Sequence, residues 1–204
     1  MMETATLVSA FVTLFVVMDP IGLTPLFIAL TGGMTARARL VIAIRACVIA
    51  AILLMVFGLA GEVILTAIGI TMPAFQIAGG ILLFLTALDM LFERRTRRRK
   101  GQAEDSALDP SVFPLAMPLI AGPGAMASMI LLVGQTVDAA GIFAVHAVML
   151  TVVLITFALF QIATPLERAL GPTGTMVVTR LLGMLLAALS VQFVLNGARS
   201  AGVI

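Results

Sequence analysis

Two short stretches of this sequence could do chemistry, because each places helix-breaking residues inside an otherwise apolar run. The run FVVMDPIGLTPLFIALT contains Asp19, Pro20 and Gly22 near its middle. A second apolar run contains Ala-Gly-Pro-Gly at residues 121–124. Proline lacks an amide hydrogen and glycine weakens the helix around it. Each stretch therefore predicts backbone amides and carbonyls without helical partners.

Freed backbone groups of this kind can bind a small zwitterion. Amides at the start of a half-helix carry partial positive charge, and carbonyls at the end of the preceding half carry partial negative charge. Two broken helices of opposite direction that meet at the membrane midplane could hold a carboxylate and an ammonium in this way. A pair of packing kinks is the alternative. The predicted substrate-binding residues come from both breaks: Asp19, Pro20, Gly22, Thr24, Gly122, Pro123 and Gly124.

Asp19 is the ionisable side chain of the first stretch, and three roles are open to it. An ionised carboxylate in mid-span is costly unless it is paired, solvated or neutralised. Asp19 could bind a substrate ammonium or carry a coupling proton. It could also cap the half-helix that begins near Pro20, because Asp followed by Pro suits an N-cap and the first helical position.

Other titratable residues lie farther from the breaks. Arg45 lies about a turn inside the second apolar run, where it can extend to the cytoplasmic interface or pair with Asp19 or Asp89. Asp89 precedes the basic run Arg94–Lys100 by about one turn, which favours an interfacial ion pair. His146 is the single histidine, and packing or proton relay are both open to it. No metal site is predicted, since His146 lacks partner ligands.

The elements that must position these residues are membrane helices. The chain of 204 residues is 61% hydrophobic and 11% charged, with a mean hydropathy of +1.20, which is typical of an integral membrane protein. A helix needs about 20 apolar residues to span the hydrocarbon core. Gly58 and Gly61 around Glu62 predict that the second helix leaves the membrane near residue 60. Six spans are predicted, over residues 5–31, 40–69, 73–92, 111–134, 140–163 and 176–198.

The basic residues predict how these spans are oriented. Lys and Arg concentrate in cytoplasmic loops, and here they follow the first, third and fifth spans. Both termini are therefore expected on the periplasmic or extracellular side. The N-terminal run lacks the basic region of a cleaved signal peptide, so we expect it to remain as the first span.

A polar stretch near the centre divides the chain into two similar halves. The predicted organisation is a first three-span repeat at 1–92, a cytoplasmic basic loop at 93–110 and a second three-span repeat at 111–204. Positions 103 residues apart match in type, as in the pairs Pro20 with Pro123 and Gly80 with Gly183. Three spans per half make the second copy inverted. The predicted fold class is an all-α membrane protein of six transmembrane helices, built as two inverted three-helix repeats with helices one and four broken.

Four stretches of the chain resemble the MarC family of six-span bacterial and archaeal membrane proteins: DPIGLTPLF, FQIAGGILLFLTALDML, PLAMPLIAGPGA and RLLGMLLAALSVQFVLNG. The resemblance implies a polytopic inner-membrane protein that is similar to transporters of small neutral amino acids such as alanine and glycine. Asp19, Pro20 and Gly22 match the first family motif, Gly122, Pro123 and Gly124 the second, and Arg45 the basic position of span two. One departure is Leu23, where the family motif usually has Asn.

The function expected from the sequence is secondary transport of small neutral amino acids across the cytoplasmic membrane. Transport would proceed by alternating access around the midplane site, coupled to H⁺ or Na⁺, with Thr13 or Thr24 as further Na⁺ ligands. A channel or a membrane scaffold is the alternative. An intramembrane enzyme with Asp19 and Asp89 as an aspartyl pair is disfavoured by their different predicted depths. Neither a cofactor nor a nucleic-acid partner is expected; the lipid bilayer is, and a homo-oligomer is left open.

Overall fold

The computed structural model describes residues 4–92 and 109–203, and helices are the only regular secondary structure in those two ranges. Most of the predicted basic loop at 93–110 lies outside the described residues. The fifth helix has π-type hydrogen bonding, and the other helices are α-helices. In chain order the helices are α1 (Thr4–Met18), α2 (Pro20–Leu30), α3 (Ala36–Ala67), α4 (Met72–Leu91), α5 (Ser111–Ile120), α6 (Pro123–Gly134), α7 (Ala139–Gln161) and α8 (Ala163–Ser200).

Five helical segments of the described chain are long and apolar enough to cross a membrane. A sixth span is formed if α5 and α6 are counted together, since they are bent by 53° at the break between them. These segments coincide with the six predicted ranges, so the prediction of an all-helical membrane protein is confirmed. α3 continues as one helix past Gly58 and Gly61 to Ala67. The five unbent segments are Thr4–Leu30, Ala36–Ala67, Met72–Leu91, Ala139–Gln161 and Thr173–Ser200.

The outer surface of the bundle is apolar, as contact with a bilayer requires. On α3, the outward side chains of Val63, Leu59 and Ile52 are exposed to 70%, 59% and 56%. Comparable apolar side chains are exposed on α4 and α8, for example Leu85 and Met184. A soluble monomer rarely presents contiguous apolar surface of this extent. These outer faces therefore suit lipid contact.

The two interrupted segments lie at the centre of the bundle. In the most apolar window of Thr4–Leu30, 61% of the residues are buried, against 33% or less for the other four long segments. Most of α6 is buried as well, from Gly124 to Val133. The helices that contain these breaks are therefore largely buried in protein, which is where unpaired backbone groups are tolerated in a membrane.

Ordinary polar caps fix where several helices begin. Thr35 accepts a hydrogen bond from the amide of Ala38 at the start of α3 (3.3 Å). Asp138 accepts one from the amide of Gly141 at the start of α7 (2.8 Å). Such caps satisfy amides that the helix itself leaves without partners. They lie at helix ends, whereas the cap described below lies within a span.

Glycines let α4 and α8 pack closely and antiparallel. A Cβ atom at Gly80 would lie 2.8 Å from the backbone oxygen of Ser190 and 2.7 Å from Cγ2 of Val194. One at Gly183 would lie 3.3 Å from the backbone oxygen of Ala87, and one at Gly197 would lie 3.0 Å from that of Pro73. Residues with increasing numbers on α8 thus contact residues with decreasing numbers on α4, so the two helices run in opposite directions.

We expect Gly80→Val to destabilise the bundle by at least about 2 kcal/mol, because its side chain overlaps the backbone of α8. Gly32→Val is the matched control, since a Cβ at Gly32 meets nothing closer than 3.6 Å. The control should change stability by less than about 0.5 kcal/mol. Unfolding of both variants in mixed detergent micelles measures the difference. Equal stability of the two variants would contradict the close packing of α4 on α8.

Candidate functional site

The first interruption is a one-residue break at Asp19, between α1 and α2. Asp19 has a left-handed backbone (φ 52°, ψ 60°) and is the non-glycine residue with positive φ in the described chain. This conformation is costly for most L-residues, and Asp is among those that adopt it. Its Oδ1 accepts a hydrogen bond from the amide of Gly22 at 3.0 Å. Asp19 is therefore the N-cap of α2, with Pro20 at the first helical position.

Gly22 and Thr24 complete the local structure of this break. A Cβ atom at Gly22 would run into the Oδ2 atom of Asp19, so this capping geometry requires glycine at position 22. The Thr24 hydroxyl donates to the carbonyl oxygen of Pro20 at 3.0 Å. The main chain also stays bonded across the break, from the Leu23 amide to the Asp19 carbonyl (3.0 Å). Asp19 and Thr24 are 0% and 2% exposed.

The second interruption lies between α5 and α6. Gly122 occupies the N-cap position of α6, and no side chain caps the helix there. Pro123 is the first helical residue and has no amide hydrogen. The amides of Gly124 and Ala125 in the first turn therefore have no side-chain acceptor from the cap. Farther along, the Ser128 hydroxyl donates to the Gly124 carbonyl at 2.9 Å. The start of α6 thus presents the positive end of a helix inside the bundle.

The segment before this break is less regular than the sequence led us to expect. A single broken span was predicted over 111–134, but Phe113 and Met117 have extended backbone, with φ near −130°. The amide of Ala121 bonds to the carbonyl of Ala116, five residues earlier, at 2.9 Å. The physical reason is the pair Pro114 and Pro118, since each removes an amide donor and crowds the preceding turn.

The two interruptions lie beside each other. A Cβ atom at Gly124 would lie 3.3 Å from Cγ1 of Val17 and 3.2 Å from Cδ2 of Leu83 on α4. Val17 is two residues before Asp19, so the start of α6 packs against the end of α1. Asp19, Gly124 and Ala125 are all buried. The fold therefore places the two interruptions next to each other, with Asp19, Gly124 and Ala125 buried between the helices.

Pro123, Gly122 and Gly22 are the predicted site residues that keep some surface. Pro123 is exposed, and both glycines are partly exposed. Pro20 is buried, as are Asp19 and Thr24. All seven predicted substrate-binding residues thus fall at the two interruptions, and the glycines and Pro123 form their accessible edge.

Arg45 and Asp89 lie outside this region. The structure gives Arg45 a partner that the sequence did not predict, because its guanidinium lies 3.3 Å from Oδ2 of Asp109. Both side chains are about half exposed, so the pair is at an end of the bundle rather than at its centre. Asp89 is half-buried near the end of α4. The basic run predicted to pair with Asp89 lies outside the described residues.

Asp109 lies just before α5 and accepts two hydrogen bonds from Ser111, the first residue of that helix, and these bonds predict an acid-sensitive contact. Its Oδ1 accepts from the hydroxyl of Ser111 at 2.7 Å and from the Ser111 amide at 3.0 Å. These bonds and the charge of Arg45 hold the pKa of Asp109 below its ordinary value of 3.8, although partial burial opposes them. These bonds to the ionised carboxylate therefore stabilise the fold above the unfolded pKa, and their contribution is lost as pH falls through the lowered folded pKa.

We expect Ser111→Ala to raise the pKa of Asp109 toward the ordinary carboxyl value, because the largest cause of the lowering is removed. The carboxyl carbon resonance of Asp109, followed by NMR between pH 2 and pH 6, measures this (a window of about two units on each side of 4). Asp138→Asn serves as a control at a helix cap and should leave the Asp109 titration unchanged. An unchanged titration midpoint of Asp109 in Ser111→Ala would contradict the stabilisation of the Asp109 carboxylate by Ser111.

An aromatic stack lies two turns beyond Asp19. The rings of Phe27 on α2 and Phe160 on α7 are parallel within 5°, with centroids 4.4 Å apart. The guanidinium carbon of Arg39 lies 5.5 Å from the centre of the Phe27 ring. Both rings are almost fully buried. Sequence reasoning missed this group, and the only signal for it was a phenylalanine on the same run as the first break.

The described residues contain no group of three His, Cys, Asp or Glu side chains close enough to hold a metal ion. Cys47 is a buried free thiol on α3. The polar chemistry of the central region thus comes from the Asp19 carboxylate, from hydroxyl groups and from the backbone.

The chain was compared with known families, curated proteins and solved structures. The model of the "MarC family integral membrane protein" matches residues 4–201. A "UPF0056 membrane protein" of Aquifex aeolicus is 36% identical over 198 residues, which cover 95% of this chain and 92% of that protein. A UPF0056 membrane protein of Methanocaldococcus jannaschii is 34% identical over 195 residues (94% and 95%). The "UPF0056 membrane protein YhcE" of Escherichia coli is 35% identical over 193 residues (93% and 90%). No solved structure matches the chain.

Proposed function

Because this chain belongs to the MarC family of integral membrane proteins, we propose that it is a secondary transporter of small neutral amino acids such as alanine and glycine. The observation that carries the proposal is that the start of α6, which no side chain caps, packs against Val17, two residues before Asp19. A neutral amino acid has one negative and one positive group on adjacent carbon atoms. The amides at the start of α6 complement the negative group, and the Asp19 carboxylate complements the positive group.

The amides at the start of α6 bind the carboxylate of the substrate. Backbone amides and the helix dipole together favour an anion at a helix N-terminus. Gly122 and Gly124 add no side chain, so the backbone is open to close approach. Ser128 stabilises the turn by donating to the Gly124 carbonyl. This half of the site needs no basic side chain.

The Asp19 carboxylate binds the ammonium group of the substrate. Its Oδ1 remains in the cap to Gly22, and a carboxylate has acceptor sites beyond that one bond. Pro20 supplies no amide to the carbonyl of Val16, four residues earlier, and this oxygen is a further acceptor for the ammonium. An uncharged amino acid side chain would then face the apolar surroundings of Leu23 and Ala125, both buried.

An inverted repeat explains how the fold forms two opposed breaks. Gly80 packs on Ser190 and Val194, and Gly183 packs on Ala87 and Leu91. The residues 103 positions after Gly80, Ala87 and Leu91 are Gly183, Ser190 and Val194. Each half therefore makes the same contact with the other, as a two-fold axis requires.

Several other helix contacts also occur in pairs related by this repeat. α3 packs on α5 and α6, and α7 packs on α1 and α2. α4 packs on α6, and α8 packs on α1 and α2. Exchanging the two halves converts the contacts of α3 into those of α7, and the contact of α4 with α6 into that of α8 with α2. We therefore assign helices one and four, each with its break, to equivalent places in the two repeats.

Transport follows by alternating access in the cytoplasmic membrane. The Phe27–Phe160 stack closes the site toward the end of α2, which the basic residues assign to the cytoplasm. Both chain termini then lie on the opposite side. Substrate passage requires this stack and the contacts on the other side to open in turn, with H⁺ or Na⁺ as the coupling ion.

Binding of substrate analogues to the purified protein tests the zwitterion site. Alanine and glycine are expected to raise the midpoint of thermal unfolding, because a ligand that binds only the folded state stabilises it. Propionate lacks the ammonium and ethylamine lacks the carboxylate, so each should stabilise the protein much less than alanine. Equal stabilisation by alanine and ethylamine would contradict the binding of the substrate carboxylate by α6. Equal stabilisation by alanine and propionate would contradict the binding of the substrate ammonium by Asp19.

A further inference from the structure

His146 is a buried titratable side chain that the proposed substrate site does not use. It lies two turns into α7 and is 8% exposed. Its Nδ1 lies 2.8 Å from the carbonyl oxygen of Ile142 in the same helix. A carbonyl oxygen can only accept a hydrogen bond, so Nδ1 carries the hydrogen and Nε2 carries a lone pair. Among the described residues, no group forms a hydrogen bond with this Nε2.

The Nε2 atom points at the backbone of α3. A Cβ atom at Gly58 would lie 2.8 Å from Nε2 and 3.0 Å from the terminal methyl of Met129 on α6. The imidazole edge therefore occupies the space that a side chain at position 58 would fill. Protonated Nε2 would be a buried donor without an acceptor in this packing, which is unfavourable. The arrangement of α3 against α7 thus prefers the neutral ring.

Few charged residues lie near the level of His146 in the sequences of the helices that pack on α7. The helices α1, α2 and α6 contain no titratable side chain. α3 contributes Glu62, one turn after Gly58, and its other titratable groups lie eleven or more residues before Gly58. By position along their helices, the titratable residues at the same end of the bundle as His146 are Glu62, Asp138 at the start of α7 and Arg199 at the end of α8. The other titratable residues of these helices and of the α1–α2 junction are Asp19, Arg37, Arg39, Arg45, Cys47, Glu167, Arg168 and Arg180.

Glu62 lies between His146 and the end of the bundle. It lines a cavity of about 300 Å³ at the turn between α3 and α4, together with Thr66 and Thr71. Its side chain is exposed. One helical turn, a rise of about 6 Å, separates Glu62 from Gly58. A solvent-accessible carboxylate thus lies one turn along α3 from Gly58, the residue that the buried imidazole contacts.

We propose that His146 binds the proton that couples transport to a pH gradient, with the proton entering past Glu62 from the side on which α7 begins. This inference rests on the proposed transport function. The proton adds to the Nε2 lone pair, and the resulting N–H disfavours the packing of α7 on Gly58. Protonation therefore shifts the protein toward a conformation in which α7 is displaced from α3. Release of the proton on the other side restores the neutral ring and the described packing.

Imidazole is suited to this role because its charge changes between about pH 5 and 8. Asp19 is already used in the cap of α2, and its charge is needed for the substrate ammonium. A ligand drives a conformational equilibrium only through different affinities for the two states. In the described packing the Nε2 atom is buried without an acceptor, so a proton binds this state less tightly than a state in which α7 is displaced from α3.

His146→Gln tests the proposal in proteoliposomes. Gln keeps a polar side chain of similar size but carries no proton at neutral pH. A gradient of one pH unit coupled through one proton gives about tenfold accumulation of alanine. The wild type should reach this, whereas His146→Gln should exchange alanine across the membrane at the wild-type rate without accumulating it. Thr156→Val removes another buried polar group of α7 and should accumulate alanine like the wild type. Accumulation by His146→Gln equal to the wild type would overturn the proposal.

Titration of His146 provides a readout that does not depend on transport. His146 is the single histidine of the chain, so selective isotope labelling gives one imidazole signal in NMR spectra of the protein in nanodiscs. The proposal expects the signal of the protonated ring to appear as the pH is lowered, and Glu62→Gln to slow the exchange of its proton. A ring that stays neutral at every pH at which the protein remains folded would overturn the proposal even if transport is shown. Titration without any transport of amino acids would support the proton site and refute the proposed function.

Discussion

Asp19→Asn is expected to leave the fold intact and to weaken alanine binding by about ten- to a hundredfold. The amide oxygen of Asn can accept the bond from Gly22, and Asn tolerates the left-handed backbone of position 19. The negative charge that faces the substrate ammonium is lost, however. A hydrogen bond to a charged group contributes about 1.5–3 kcal/mol, which corresponds to that change in affinity.

Asp19→Ala is the comparison that separates the cap from the charge. Alanine cannot cap α2, and the lost cap costs about 1 kcal/mol of stability. Alanine also adopts the left-handed backbone poorly, which costs about 1–2 kcal/mol more. Its thermal unfolding midpoint should therefore fall well below that of Asp19→Asn, while both variants lose alanine affinity. Wild-type alanine affinity in a folded Asp19→Asn variant would show that the carboxylate only caps α2, and would contradict its role in the site.

Gly122→Ala is expected to abolish transport and to destabilise the bundle by about 2–3 kcal/mol. A Cβ atom at Gly122 would lie 2.5 Å from the carbonyl oxygen of Pro118, which belongs to the backbone and cannot rotate away. The bend between α5 and α6 must then change, and the first amides of α6 move with it. Forcing additional atoms into a packed core costs about 1–3 kcal/mol.

Gly32→Ala is the control for this variant, because its Cβ would meet only ordinary contacts at 3.6 Å or more. Alanine uptake and thermal unfolding of the two variants are measured in parallel. The control should match the wild type in both. A Gly122→Ala protein with wild-type uptake would mean that the backbone at this break is not part of the site.

The sequence predicted the helices well because their signal is local. Runs of apolar residues bounded by charge or glycine correspond to all six spans, and the family predicted from DPIGLTPLF and AGPGA is confirmed by the comparisons. The positions of both interruptions could also be predicted, since Pro20 and Pro123 cannot donate the amide bond that continues a helix. These are properties of single residues and their neighbours in the chain.

The contacts that the sequence could not predict are distant ones. Arg45 pairs with Asp109, which is 64 residues away, and no local pattern distinguishes Asp109 from Asp89 as the partner. The stack of Phe27 on Phe160 joins two helices far apart in the chain. Gly58 and Gly61 suggested where the second helix leaves the membrane, and the sequence did not show that Gly58 makes room for His146 and Gly61 for Ile130 from neighbouring helices.

The irregular form of α5 could have been predicted in part. Pro114 and Pro118 are four residues apart, so two successive turns lose a donor. The sequence interpretation placed the break at 121–124 and treated the preceding residues as ordinary helix. What the two prolines do not predict is the five-residue bonding from Ala121 to Ala116, which depends on the surrounding helices.

Uptake of labelled amino acids into proteoliposomes tests the central claim most directly. Alanine, glycine, serine and leucine are compared with and without imposed H⁺ or Na⁺ gradients, using wild-type protein and the folded Asp19→Asn variant. The account predicts uptake of the small neutral amino acids by the wild type, accumulation when a pH gradient is imposed, and strongly reduced uptake by Asp19→Asn. Absence of flux for all four amino acids, in wild-type protein shown to be folded, would contradict it.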